Sequence, residues 1–277
     1  MEYLTINEQD VVRTISPNDE MYGRDKTHGS DVYWSTGRSS LDAIEQCLRA
    51  ARKPLSSVRS ILDLPCGHGR VLRYLKAAFP AAEITACDLL EDGVKFCAET
   101  FGAKPIKSHE DPGRIELPLH AFDLIWVGSL LTHLDAERWG AFLTCLSSYL
   151  HENGVLVFTA HGRYVYRRIK GLEDPYDYFI PYWRKTVALY DYENKGFGYG
   201  DYGKKGYGIS ISDPAWVSAL LAQQSELRCV LFQERGWTDV HDVYACVRQL
   251  RPRDSESATS IALYLKHRIR ELWKPSR

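Results

Sequence analysis

The sequence predicts an α/β fold in which a doubly wound, mostly parallel sheet ends in an antiparallel strand and carries an aromatic-rich insertion. Short apolar runs alternate with segments of helical periodicity from Ser60 to Leu150, as they do in successive βα units. A stretch rich in glycine and tyrosine then interrupts this periodicity. Two more apolar runs follow, and the link between them is short enough for an antiparallel hairpin.

Seven strands follow from this pattern, at residues 61–64, 84–88, 105–108, 122–127, 155–160, 227–234 and 240–250. Helices are expected after the first, second and fourth strands, and also over residues 41–50. Asp135 can cap the helix that follows the fourth strand and ends near Leu150. The insertion is expected to be irregular until Pro214, which starts a helix that runs to about Gln224.

Composition and charge limit the partners of the chain. Its 277 residues, 44% of them hydrophobic, suit one main domain, and a net charge of -1 lacks the basic excess typical of nucleic-acid-binding proteins. No segment resembles a signal peptide or an integral membrane span, so we expect a cytoplasmic protein. The seven cysteines are scattered and never form a CxxC motif, which indicates reduced thiols rather than disulfides or a zinc site.

A turn with two glycines joins the first predicted strand to its helix, in the segment Asp63-Leu64-Pro65-Cys66-Gly67-His68-Gly69. Small residues in such a turn let a ligand approach the backbone. The next strand ends in Asp88, where a carboxylate can accept hydrogen bonds from ribose hydroxyls. Leu72 stands where nicotinamide-binding proteins require a third glycine, which argues against a dehydrogenase. The acid before the glycines suits a ligand that carries an ammonium and a sulfonium.

This turn resembles the first motif of the class I S-adenosylmethionine-dependent methyltransferases, and the resemblance extends roughly over residues 61–162. It implies a Rossmann-like fold, methyltransferase activity and S-adenosyl-L-methionine as cofactor. It further implies cofactor contacts from the turn, from the ends of the second and third strands, and from the segment after the fourth strand. These residues are Asp63, Pro65, Cys66, Gly67, His68, Gly69, Asp88, Leu89, Ser108, His109, Gly128, Ser129 and Leu130.

Two departures from the family pattern are visible. Pro65 replaces the first glycine and supplies no backbone N–H, and the third strand ends in Ser108 and His109 instead of the usual aspartate. In this family an N-terminal segment often covers the cofactor. Arg38 is therefore a candidate partner of the methionine carboxylate, and Tyr22 or Tyr33 a candidate to pack on the cofactor, with surface packing as the alternative for each.

Candidate catalytic residues lie near the carboxyl ends of the later strands. His161 follows the fifth strand, His241 and Asp242 open the last strand, and His133 precedes a helix. Because ligands of open parallel sheets bind beyond these ends, the histidines are candidate bases for a substrate hydroxyl. Ordinary hydrogen-bonded or solvent-facing histidines are the alternative. No compact ligand spacing supports a metal site.

Five segments are expected: an N-terminal cap and helix (1–58), the cofactor-binding core (59–162), a substrate or lid insertion (163–212), the completion of the core (213–250) and a tail helix (251–277). The insertion's aromatic rings suit a sugar-like or aromatic hydroxylated acceptor, although it could merely pack on the sheet or on a second subunit of a homodimer. The basic tail favours a docked helix over a membrane anchor. The leading interpretation is a small-molecule O-methyltransferase. A macromolecular methyltransferase and a non-catalytic binding protein are the alternatives.

Overall fold

The computed structural model describes residues 4–25, 30–173, 182–204 and 206–249, and within these ranges it contains nine strands and eight helices. The strands are β1 (Ser60–Asp63), β2 (Glu83–Asp88), β3 (Lys104–Lys107), β4 (Phe122–Val127), β5 (Leu150–His161), β6 (Phe197–Lys204), β7 (Tyr207–Ser212), β8 (Leu227–Trp237) and β9 (His241–Arg248). The helices are α1 (Glu20–Asp25), α2 (Ser30–Ala50), α3 (Leu72–Ala78), α4 (Glu91–Phe101), α5 (Ala136–Tyr149), α6 (Arg163–Ile169), α7 (Tyr182–Lys195) and α8 (Pro214–Ala222).

Seven of the strands form one sheet in the order β3-β2-β1-β4-β5-β9-β8. Only β9 runs against the others in this sheet, because it pairs antiparallel with both β5 and β8. The predicted α/β fold with an antiparallel last strand is confirmed. The strand order reverses between β1 and β4, and a crevice for ligands forms at such a point beyond the carboxyl ends of the strands.

Apolar side chains cover both faces of the sheet. One face packs against α2, α3 and α4, through residues such as Ile44 and Leu75, and the other packs against α5 and α8. Asp135 caps α5 as expected, since its carboxylate accepts a hydrogen bond from the Arg138 N–H at 3.0 Å. No helix among the described residues has the length and apolar character needed to cross a membrane.

Three expectations differ from the structure. The helix expected at residues 41–50 begins at Ser30, and the fifth strand begins at Leu150 rather than at residue 155. The insertion, expected to be irregular, contains α6, α7 and the antiparallel pair β6–β7. Glycines in this hairpin interrupt the alternation of apolar and polar side chains that would reveal a strand. Gly198 has to be glycine because a side chain there would collide with the Ala188 backbone of α7. The expected tail helix lies outside the described residues.

A buried guanidinium fastens the N-terminal segment to the turn after β1. Arg73 of α3 donates to the backbone carbonyls of Gly69 at 3.0 Å, Val12 at 2.7 Å and Thr14 at 3.1 Å. It also donates to the Tyr33 hydroxyl of α2 at 3.3 Å. One side chain therefore joins three parts of the chain that are distant in sequence.

We predict that Arg73→Met lowers the free energy of unfolding by about 2 to 3 kcal/mol, because the buried carbonyls and hydroxyl lose their donor. Lys76→Met is the matched control, since Lys76 lies on the same helix and is half-buried. Chemical denaturation of both variants measures the difference. Equal stability of the two variants would contradict the anchoring role of Arg73.

Candidate functional site

The turn after β1 contains a buried carboxylate with no hydrogen-bond donor. Asp63 ends β1 and is 1% exposed, and neither of its carboxylate oxygens receives a hydrogen bond from a described residue. Burial, and then the nearby charge of Asp88, hold the pKa of Asp63 well above its usual range. An unpartnered buried carboxyl is costly, so this one fits a cationic ligand group.

Asp88, at the end of β2, fastens the same turn to the second strand. Its carboxylate accepts hydrogen bonds from the backbone N–H of Gly67 at 2.7 Å and of Leu90 at 2.9 Å. Each oxygen keeps one further lone pair, so the carboxylate can still accept from two ligand hydroxyls. Leu89 and Leu90 follow directly and are 53% and 51% exposed, which gives an apolar surface beside the acid.

The two glycines of the turn have different surroundings. Gly67 has φ +50°, and a Cβ added there would meet nothing within 4 Å, so its α-carbon faces open space. A Cβ on Gly69 would instead press against the Phe101 ring and the Cys97 thiol of α4. Gly67 is thus the glycine that leaves room for a ligand, whereas Gly69 allows α4 to pack on the turn.

The other residues of the turn are held from several sides. Pro65 is half-buried, and Cys66 is buried with its thiol 3.4 Å from the Gly67 carbonyl. The His68 ring is 3.1 Å from an Asp92 carboxylate oxygen, and the Asn18 amide donates to the same oxygen at 3.3 Å. The N-terminal segment therefore reaches over the turn to the start of α4.

The predicted N-terminal contacts fall in different places. Tyr33 is fully buried, and its hydroxyl donates to Asp19 at 2.7 Å, which anchors the N-terminal segment. Tyr22 packs edge-on against Tyr33 with ring centres 5.3 Å apart. Arg38 forms ion pairs with the exposed acids Glu8 at 3.5 Å and Asp42 at 3.3 Å.

Arg70 is a cation that the sequence analysis overlooked. It directly follows the turn, and its positive charge lowers the pKa of both Tyr33 and His241. This position lies between the N-terminal helices and the later strands. Its place immediately after the glycine motif was the available sequence signal.

The remaining predicted cofactor residues border the ends of β3 and β4. Ser108 is buried, and its N–H donates to the Asp88 carbonyl at 2.8 Å. His109 is half-buried and its Nδ1 accepts from the Asp111 N–H at 2.9 Å. Gly128 faces the Trp126 indole, and Ser129 and Leu130 are partly exposed just beyond it. These residues lie where the predicted crevice begins.

The structure brings the three candidate histidines together. His161 and His241 face each other across β5 and β9, with ring centres 4.9 Å apart. His133 comes from the segment after β4, and its charge lowers the pKa of both rings. Histidines from three distant segments thus meet at the carboxyl edge of β4 and β5.

His241 has a fixed proton position. The Thr238 hydroxyl donates to the Trp237 carbonyl at 2.7 Å, so its oxygen accepts the proton of His241 Nδ1 at 2.9 Å. The lone pair is then on Nε2, which is buried and has no partner among the described residues. Burial, then the charge of Arg70, lowers the pKa of His241 to about 3. Burial and His241 likewise hold the pKa of His161 well below its usual range.

His133 has the geometry of an oriented base. Its Nδ1 lies 2.7 Å from the Gly208 carbonyl of β7, which can only accept, so Nδ1 carries the proton. The Tyr207 ring stacks on the imidazole with centres 4.8 Å apart. In the neutral ring the lone pair is therefore on Nε2, and the Gly208 carbonyl and the Tyr207 ring orient the imidazole.

Asp242 lies on the opposite face of the sheet from His241. One carboxylate oxygen accepts from the Arg235 N–H at 3.0 Å, while the other has no described partner and lies against Gly162. Burial raises the pKa of Asp242 to about 6. The Tyr244 hydroxyl, two residues along the same face, is also buried without a described partner. Sequence reasoning missed this tyrosine, because strand alternation alone does not distinguish it from a core aromatic.

Comparison with known proteins agrees with this geometry. The sequence profile of a family described as "Methyltransferase domain" matches residues 62–156, which include the glycine turn, Asp88 and β4. Residues 62–156 are therefore similar in sequence to a methyltransferase domain. The match supports the predicted resemblance to the S-adenosylmethionine-dependent methyltransferases, and it includes both strands that border the crevice, β1 and β4.

Two solved methyltransferases resemble the domain in fold. An S-adenosylmethionine-dependent methyltransferase from Clostridium acetobutylicum shares 16% identity at a TM-score of 0.54, over 84% of this chain and 99% of that chain. Human N-acetylserotonin methyltransferase, solved in complex with S-adenosylmethionine, shares 15% identity at a TM-score of 0.50, over 85% of this chain and 61% of that chain. Both likenesses concern the fold.

A fatty-acid O-methyltransferase from Mycolicibacterium smegmatis is a relative in sequence. It is 27% identical over 132 residues, which are 47% of this chain. The match spans 42% of the length of that relative. The shared part therefore concerns less than half of either protein.

We predict that the imidazoles of His241 and His161 stay neutral from pH 8 to pH 5, because both pKa values are depressed by burial. Ring resonances in NMR spectra, assigned with His241→Gln, should not shift over this range. A histidine in an unfolded peptide has a pKa of about 6.5. A midpoint between pH 6 and pH 7 for either ring would contradict the prediction.

Proposed function

We propose that the protein is an S-adenosylmethionine-dependent methyltransferase that methylates an oxygen atom of a small hydroxylated metabolite, such as a sugar. The observation that carries the proposal is the buried, unpartnered carboxylate of Asp63 beside the open α-carbon of Gly67. Asp88 and the exposed Leu89 complete a surface suited to a nucleoside with a cationic amino-acid tail.

The residues present fit S-adenosylmethionine part by part. Asp63 would hold the ammonium, and Asp88 would accept the ribose hydroxyls with its remaining lone pairs. Leu89 would cover the base together with Ser108 and His109. When bound, the cofactor supplies an electrophilic methyl group on a sulfonium. The protein's own task is then to align the acceptor and exclude water.

His133 is the best-placed base for a hydroxyl acceptor. With Nδ1 donating to the Gly208 carbonyl, Nε2 can take the proton that the acceptor oxygen loses as it is methylated. His241 and His161 are poor bases because their low pKa values oppose protonation. Their neutral rings instead suit hydrogen bonds to the acceptor. Asp242, whose pKa is about 6, is the alternative base.

A carboxylate acceptor is the second candidate. The relative that matches 47% of this chain acts, by its name, on fatty acids. A carboxylate needs no base, so such a reaction would depend on the charge of Arg70 and would be insensitive to His133. Transfer of labelled methyl groups to monosaccharides, phenols and fatty acids distinguishes the two acceptor classes. Absence of binding of S-adenosylmethionine in calorimetric titration would contradict the proposed function altogether.

Gly67→Val should abolish binding of S-adenosylmethionine, because the new side chain fills the open space above the turn. Gly102→Val is the matched control, since Gly102 also has positive φ and no neighbour within 4 Å of a Cβ, but ends α4. Both variants carry similar backbone strain, so thermal unfolding compares stability while calorimetry compares affinity. Equal affinity of the two variants would show that Gly67 is only a turn residue.

His133→Ala should lower kcat with a hydroxyl acceptor by about 100-fold or more, with little change in cofactor affinity. His241→Ala should mainly raise KM for the acceptor, since a neutral hydrogen-bonding ring is lost. The comparison uses initial rates with the acceptor found in the labelling assay. A larger fall in kcat for His241→Ala than for His133→Ala would reverse the assignment of the base.

A further inference from the structure

The surroundings of Asp63 contain acids and thiols but no described cation. The charge of Asp88 in β2 raises the pKa of Asp63. A charge on Asp63 would in turn raise the pKa of the Cys66 and Cys87 thiols. The imidazole of His68 pairs with Asp92 at 3.1 Å, and its charge lowers the pKa of Asp88 rather than that of Asp63. Neither oxygen of Asp63 receives a hydrogen bond from a described residue. Nothing described therefore stabilises a negative charge on Asp63 before ligand binds.

We infer that Asp63 is protonated in the ligand-free protein and releases its proton to solvent when the ammonium of the cofactor's amino-acid tail binds beside it. This inference rests on the proposed function. The balance is simple: the carboxyl loses one proton, the ligand keeps its ammonium, and a buried ion pair replaces a buried neutral acid. Formation of a charge beside an opposite charge in a site of low polarity favours this exchange.

Proton release couples affinity to pH in a fixed direction. Binding strengthens as pH rises, by up to about tenfold per unit, until the pKa of ligand-free Asp63 is passed, and it is constant above that point. Stability of the ligand-free protein follows the opposite trend. The folded state holds this proton to higher pH than the unfolded chain, so Asp63 contributes less stability as pH rises above about 4.

Calorimetric titration in phosphate and in Tris, at pH 6.5 and 7.0, counts the protons exchanged on binding S-adenosylhomocysteine. This ligand has the same amino-acid tail as the cofactor and undergoes no transfer. We expect a net release of protons on binding. 5′-Methylthioadenosine keeps the ribose that Asp88 would bind but lacks the tail, so it should release far fewer. The difference between the ligands assigns the proton to the tail rather than to Asp88.

Asp63→Asn should bind S-adenosylhomocysteine more weakly, with no proton release and no dependence of affinity on pH. Its affinity for 5′-methylthioadenosine should match that of the wild type, which also checks that the variant is folded. Wild-type binding without proton exchange, or equal release with both ligands, would overturn the inference and leave the proposed function standing. Failure of S-adenosylhomocysteine and S-adenosylmethionine to bind at any pH would overturn both.

Discussion

The cofactor crevice depends on one buried cation that holds its walls together. Arg73 is almost inaccessible to solvent. Its guanidinium donates hydrogen bonds to the turn after β1, to the N-terminal segment and to α2. A buried guanidinium is tolerable only when its donors are satisfied, so these partners cannot separate without a large cost. Because Tyr33 in turn donates to Asp19, the same network extends to the start of α1. The N-terminal cover is therefore part of the folded core.

The two halves of the crevice differ in their electrostatics. Around β1 and β2, Asp63 and Asp88 form an acidic half that suits a positively charged ligand. Around β5 and β9, burial keeps the imidazoles of His161 and His241 neutral. The charge of Arg70 further lowers the pKa of His241. Under the proposed function, the cationic cofactor and an uncharged hydroxyl acceptor would thus occupy different halves. Neutral imidazoles also avoid repelling the sulfonium, which favours close approach of the two ligands.

Local pattern was enough to predict where the candidate residues within a few positions of a strand end would lie. The glycine turn, Asp88 and the convergence of the histidines all follow from where strands stop. Roles that depend on distant partners were not predictable in the same way. The ion pairs of Arg38 with Glu8 and Asp42, for example, join residues of separate segments or successive helical turns, and no local motif indicates them. Gly69 looked like Gly67, and only the Phe101 ring of α4 distinguishes them. The β6–β7 hairpin was missed because glycine has no side chain to reveal a strand.

The attachment of His133 to β7 limits how this enzyme can change its substrate. The carbonyl that orients the imidazole belongs to Gly208, inside the insertion that follows β5. Ser210 of the same strand donates to the Leu131 carbonyl at 2.8 Å, which adds a second tie to the segment carrying the histidine. Exchange of the insertion for one from another enzyme would remove the orienting group along with the old binding surface. Under the proposed role of His133 as the base, evolution of a new specificity must preserve this strand or replace the proton acceptor at the same time.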